Sequence, residues 1–222
     1  MTLGDLIDAF RDEAQDNTPR PYLWSDTRLT QFATEAMHEA CRRAGVLVDS
    51  QSDFCVVTAT PADPLVPLGP RIITIKRFVR TDRPTPPILP MQCSDMDRLV
   101  PGWEVATAAD PNWYVTDYQT GYLRIVPTPT ADVDFRMTVS RLPLANPSSL
   151  DDVLEFRDEH SPALVQWMLY RAYSKQDADS FDPAKAARSL AEFEREFGRK
   201  VSARNAQWQQ EQPQNGKTVL LG

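Results

Sequence analysis

Ser161-Pro-Ala-Leu-Val-Gln-Trp-Met-Leu-Tyr-Arg-Ala-Tyr173 is the stretch on which the fold turns. Leu164, Val165, Trp167, Met168, Leu169, Ala172 and Tyr173 leave almost no polar face, so a helix here must be wrapped by other helices. Ser161 and Pro162 mark its start, the serine as cap and the proline at the first helical position, where its missing N–H costs nothing. The same device recurs at Asp182-Pro183 and opens a further helix. Its apolar residues Ala186, Leu190, Phe193, Phe197, Val201 and Trp208 step by three, four or seven. That period predicts a helix of about 25 residues, or about 38 Å at 1.5 Å per residue.

Partners for the central helix lie at the other end of the chain. Leu3, Leu6, Ile7, Phe10 and Ala14 recur at helical spacing between Leu3 and Gln15, with Thr2 as cap and Asp5 near the positive end of the helix dipole. Ser25 caps a second helix that Gly45 stops. Its stripe, Leu29, Phe32, Ala33, Ala36, Ala40 and Ala44, is mostly small, so a neighbouring helix can come close.

Between these flanks the chain changes character. Of 19 prolines, 14 fall from Pro61 to Pro147, and proline blocks both helix interiors and central ladders. Strands are predicted at Cys55–Thr60, Ile72–Val79 and Asp132–Val139, the last alternating strictly and therefore wet on one face. Trp113–Thr116 and Tyr122–Val126 flank Gln119-Thr-Gly121 and read as a hairpin, and Ser94–Leu99 as one helical turn. The expected class is α+β: a four-helix bundle from the two flanks with an inserted small antiparallel β domain. The predicted division is residues 1–52 and 151–212 for the bundle, 53–150 for the β domain and 213–222 for a C-terminal tail ending in Thr218-Val-Leu-Leu221.

Composition narrows the function. The 222 residues carry 24 basic and 31 acidic side chains, a formal charge of -7, which disfavours wrapping nucleic acid. The acidity lies outside residues 53–150, where Arg71, Lys76, Arg77, Arg80 and Arg83 form a local basic run opposed only by Asp82. No apolar run approaches the roughly 18 residues of a membrane span, and Met1–Glu13 reads as an acidic amphipathic helix, not a targeting peptide. Cys41, Cys55 and Cys93 are scattered and odd in number, and with only His38 and His160 they offer neither a disulfide frame nor a zinc site, which fits folding in a reducing cytoplasm.

Each chemical constellation has a plainer structural reading. Asp177, Asp179 and Asp182 mimic a calcium loop but lack its glycine turn and distal glutamate. Asp151, Asp152, Glu155, Asp158 and Glu159 offer paired carboxylates for a cell-wall or sugar hydrolase, with nothing to set their separation. His38 and Cys41 share a helix face as base and nucleophile, without an orienting third residue. Trp167, Phe193, Phe197 and Trp208 have core spacing rather than the interleaved cations of a base-stacking surface. The basic run suits a guarded sheet edge, a subunit interface or a DNA contact. No glycine-rich phosphate loop is present, and no cofactor is implied.

Four segments, in order, carry a resemblance: Leu23-Trp-Ser-Asp-Thr-Arg-Leu-Thr-Gln-Phe32 running into Glu35-Ala36; Leu99-Val-Pro-Gly-Trp103; Tyr114 through Tyr122-Leu-Arg-Ile-Val-Pro-Thr-Pro129; and Leu164–Tyr173 followed by Asp177-Ala-Asp179 and the helix from Ala184 to Phe197. With these the chain resembles the head-to-tail adaptor (connector) proteins of tailed bacteriophages, especially the tubular adaptors of short-tailed phages. The likeness spans about Leu23 to Lys200 and leaves out Gln207–Gly222. It implies a helical bundle with a β insert and a dodecameric ring beneath the portal protein. That ring would extend the DNA channel and carry further tail or nozzle proteins, without enzymatic activity, membrane contact or specific DNA binding. It implies a place in the virion neck for a protein made in the host cytoplasm. The loose hydrophobic tail then reads as a latch: Trp208, Val219, Leu220 and Leu221 are the expected portal- or neighbour-binding residues. Arg71, Lys76, Arg77, Arg80 and Arg83 are the expected subunit or DNA contacts. Proline-rich loops at residues 61–70, 84–90 and 127–129 are further candidate partner surfaces.

Overall fold

The computed structural model describes residues 1–17, 22–175 and 181–200. In chain order the helices are α1 (Leu3–Ala14), α2 (Asp26–Ala44), α3 (Cys93–Leu99), α4 (Ser161–Tyr173) and α5 (Pro183–Phe197). The strands are β1 (Val48–Asp49), β2 (Val56–Ala59), β3 (Leu65–Pro67), β4 (Ile72–Arg80), β5 (Leu89–Met91), β6 (Thr107–Ala108), β7 (Trp113–Val115), β8 (Tyr122–Val126), β9 (Thr128–Pro129) and β10 (Val133–Arg141). The chain is α+β and divides into two compact units, Met1–Val48 with Ser140–Lys200, and Asp49–Val139.

In the first unit α4 packs against α1, α2 and α5, as its all-round apolar surface requires. Leu6, Phe10, Leu29, Phe32, Met168 and Phe193 are buried, each adding about 1.5–3 kcal/mol relative to exposure. Start signals work largely as read. Thr2 and Asp5 form a reciprocal capping box, Ser25 accepts from the Arg28 N–H, and Gly45 takes the left-handed conformation (φ 58°) that ends α2. Asp182 accepts from the N–H groups of Ala184 and Lys185 at the start of α5.

Two helix expectations need correction. Ser161 is not a cap: a 3-10 turn, Asp158–His160, runs straight into α4, and Ser161 already has helical angles (φ −54°, ψ −48°). The last helix has 15 residues instead of about 25, because Gly198 (φ 82°) ends it inside the apolar period. Val201 and Trp208, which carried that period onward, lie outside the described residues.

The second unit holds most of the strands. β10 is paired by β1, β2 and β4, with β2 antiparallel in the register Phe135↔Val57. A second sheet runs β3-β8-β7-β5, with the expected hairpin β7–β8 in the register Tyr114↔Ile125. Gly121 (φ 81°) permits its turn. The insert is not wholly antiparallel: β5 runs parallel to β7, and β6 parallel to β9. The helical turn near Ser94 is a full element, α3. Phe78, Phe135 and Tyr114 anchor the main core of this unit, with Phe78 stacked on Phe135 at 5.0 Å. Met96, Trp103, Val115 and Val126 make a smaller core under α3.

Candidate interaction surfaces

The segment Leu23-Trp-Ser-Asp26 is held by a side chain the sequence left unremarked. Arg11 is buried on α1 and donates to Asp16 (2.6 Å), to Asp26 (2.7 Å) and to the Trp24 carbonyl (3.0 Å). Its guanidinium also lies 3.7 Å from the Tyr22 ring centroid. Asp16 in turn accepts from the Leu23 N–H at 2.9 Å. Trp24 packs edge-on between Phe10 and Tyr173. One cation therefore sets how the chain enters α2, and each residue of the segment has a defined task.

Arg43 plays the corresponding part on the other side of the unit. Its side chain lies over Trp167 (5.2 Å) and Phe193 (5.1 Å) and donates to Glu194 and to the Gly198 carbonyl. Buried Glu39 receives Arg43, Arg42 and Lys200. An arginine beside a glutamate four residues earlier on a helix is an ordinary surface pattern. The signal that separates this pair is its place among Ala36, Ala40 and Cys41, on the stripe itself.

In the second unit the segment Leu99–Trp103 is a fixed loop. Val100 N–H donates to Met96, Trp103 N–H to Val100, and the Trp103 indole to Asp97 at 2.9 Å. Arg124 donates to the Glu104 carbonyl (2.7 Å) and to Thr128, and burial pulls its pKa down. Leu99, the last residue of α3, and Val105, just beyond this loop, stand 60% and 84% exposed.

Within the basic run the side chains differ in how far the fold engages them. Arg80 donates to Asp82 and Asp110, and the Asp82 bond raises its pKa; Arg83 also pairs with Asp110 at 2.8 Å. Ile75 and Phe78 both pack on the core, which leaves Lys76 and Arg77 exposed between them. Arg77 donates to the Pro84 carbonyl, and Arg71 is partly buried and engaged.

Four of the five carboxylates at residues 151–159 have partners in the fold, although Asp158 and Glu159 remain largely exposed. Asp152 accepts from the Ser148 and Ser149 N–H groups, which hold its carboxyl below the usual range. Glu155 pairs with Arg141 at 2.7 Å, Asp158 with the Met1 amino group, and Glu159 with Arg157. His38 meets Asn146 at 3.0 Å, while burial pushes the Cys41 thiol up to about 12, the wrong direction for a nucleophile. Burial, then a hydrogen bond with Asp117, raises Cys93 to about 11. Trp167, Phe193 and Phe197 form one aromatic row inside the helical unit. Asp182 is a cap; Asp177, Asp179, Trp208, Val219, Leu220 and Leu221 lie outside the described residues. Among the described residues no three His, Cys, Asp or Glu side chains are grouped to hold a metal ion, and no helix is long and apolar enough to cross a membrane.

No curated protein matches the chain. The family model for the SU10 adaptor protein matches residues 1–216, which takes in both units and every segment quoted above. The chain belongs to the SU10 adaptor protein family, a family of phage head–tail adaptors.

Proposed function

We propose that this adaptor acts by geometry alone: copies close into a dodecameric ring that docks on the portal protein, extends the DNA channel and gives tail or nozzle proteins a platform. The observation that carries this reading is the family match over residues 1–216. It is supported by the structural employment of the groups that had suggested chemistry, from Asp152 to Cys41. In this reading residues 1–52 and 151–212 act as a four-helix bundle, 53–150 as the β domain and 213–222 as the latch. Trp208, Val219, Leu220 and Leu221 engage the portal or a neighbouring subunit. Lys76 and Arg77 serve a subunit contact, since Arg80 and Arg83 already have carboxylate partners. The net charge of -7 suits a wall past which DNA slides during ejection without sticking. The protein's place is the virion neck, between portal and tail.

Electron microscopy of the purified chain mixed with its portal tests this. Rings seated on the portal are expected, with fewer when residues 213–222 are deleted. A chain that stays monomeric and leaves portals bare refutes the proposal.

A further inference from the structure

α4 packs against α1, α2 and α5, but one strip of it stays open between α1 and α5 as a groove of about 470 Å³. From α4 the groove takes Pro162, Gln166, Leu169 and Tyr173. From α5 it takes Lys185, Ser189, Glu192 and Glu196. Both strips step by four, three and four residues, the spacing at which one helix offers a seam to another. Each spans about 16 Å, or three turns of helix.

Most charges along the groove are matched: Glu192 with Arg195, Glu196 with His160 and Glu159 with Arg157. Three are not. On the α5 wall Lys185 meets only the Tyr173 ring, at 5.0 Å, and Arg188 has no partner among the described residues. On the α1 wall Glu13 has none either. Cations and a carboxylate thus line opposite walls of one groove without meeting. Its lining holds a further open valence. Ser189 is only 7% exposed, yet its hydroxyl makes no hydrogen bond among the described residues, whereas Thr30 and Thr34 bond back to the carbonyl four residues earlier.

We infer that the α1–α4–α5 groove receives a helix of a partner protein, about three turns long, with carboxylates on the flank facing Lys185 and Arg188 and a basic residue on the flank facing Glu13. Its ions complete the pairs that the groove leaves open, and a polar side chain between them bonds the Ser189 hydroxyl. The chain's own long helices, α1, α2, α4 and α5, are already packed together, and α3 has only seven residues, which favours a different protein as the occupant. The inference stands apart from the ring and from the portal-binding tail proposed above.

Fluorescence anisotropy with the full-length protein tests it, using two lactam-stapled peptides of about 12 residues, since shorter unstapled helices are marginal in water. Both carry the same apolar strip. One has glutamates on one flank and lysines on the other; its counterpart has glutamine at all those positions. The charged peptide should bind at least about tenfold more tightly than the neutral one, and added salt should narrow the difference. Lys185→Glu/Arg188→Glu changes two exposed side chains, which spares the core, and should remove the advantage. Equal binding of the two peptides, an advantage that survives the charge reversal, or no binding by either at about 1 mM overturns the inference. So does a chain that sediments as an oligomer and takes the peptide only on dissociating, because that gives the groove to a second copy.

Discussion

Replacing Arg11 with methionine keeps the volume and removes the charge that organises the entry to α2. The Asp16 side chain, only 9% exposed, is then left as a buried carboxylate without its cation, and the Trp24 carbonyl loses its donor. Removing one member of a buried pair costs about 3–5 kcal/mol. The bond to Asp26, whose side chain is 57% exposed, adds no more than about 1 kcal/mol. The expected loss is therefore about 4 kcal/mol. For a chain of this length each kcal/mol moves Tm by about 2–4 °C, which gives a fall of about 8–16 °C. Urea and thermal unfolding followed by far-UV circular dichroism measure it. Because the penalty comes mainly from stranding Asp16, the double variant Arg11→Met/Asp16→Asn should recover about 1–3 kcal/mol. A single variant that loses less than about 1 kcal/mol, or a double variant no more stable than the single, refutes the reasoning.

Three further outcomes follow from the geometry. Asp182→Ala should cost about 1 kcal/mol in urea unfolding by freeing the Ala184 and Lys185 N–H groups, whereas Ser161→Ala, at a position already inside the helical backbone, should cost far less. Asp152 is held below its unfolded pKa by the Ser148 and Ser149 N–H groups, so its stabilisation is complete above about pH 4 and fades as pH falls through the lower folded value. The stability gap between wild type and Asp152→Ala should accordingly be widest near neutrality and close in acid, and a gap that widens in acid contradicts the assignment. At pH 8 a thiol reagent should modify native Cys93 at least about a hundredfold more slowly than a free cysteine, and Cys41 more slowly still, with all three thiols reacting at ordinary rates once unfolded.

Local signals were legible where the chain itself supplies the partner. Thr2 with Asp5, Ser25, Gly45 and Asp182-Pro183 punctuate helices through neighbours within a few residues, and the structure uses them as read. Ser161 misled because the residues before it were free to coil into a 3-10 turn, which moved the start upstream. Gly198 was readable as a stop, but Phe193, Phe197 and Val201 keep the helical period across it, and hydrophobic spacing says nothing about backbone conformation. The parallel pairs β5–β7 and β6–β9 involve strands of two or three residues, too short to show a period, and their pairing is decided by distant parts of the chain. The burial of Arg11 and Arg43 was hidden for the same reason. An arginine goes inside only where several acceptors converge, and here they come from the α1–α2 connection and from the end of α5.

The helical unit is built from both ends of the chain, and that imposes a timetable on synthesis. About 116 residues separate Ala44 from Ser161, so at roughly 5–20 residues per second α2 waits about 6–23 s for α4 to be translated. Asp49–Val139, with a core of its own, emerges whole during that delay. Meanwhile the strip that α4 will cover stays open to chaperones and to other nascent chains. Ala33, Ala36 and Ala40 keep part of that strip thin, beside the larger buried Leu29, Phe32 and Met37.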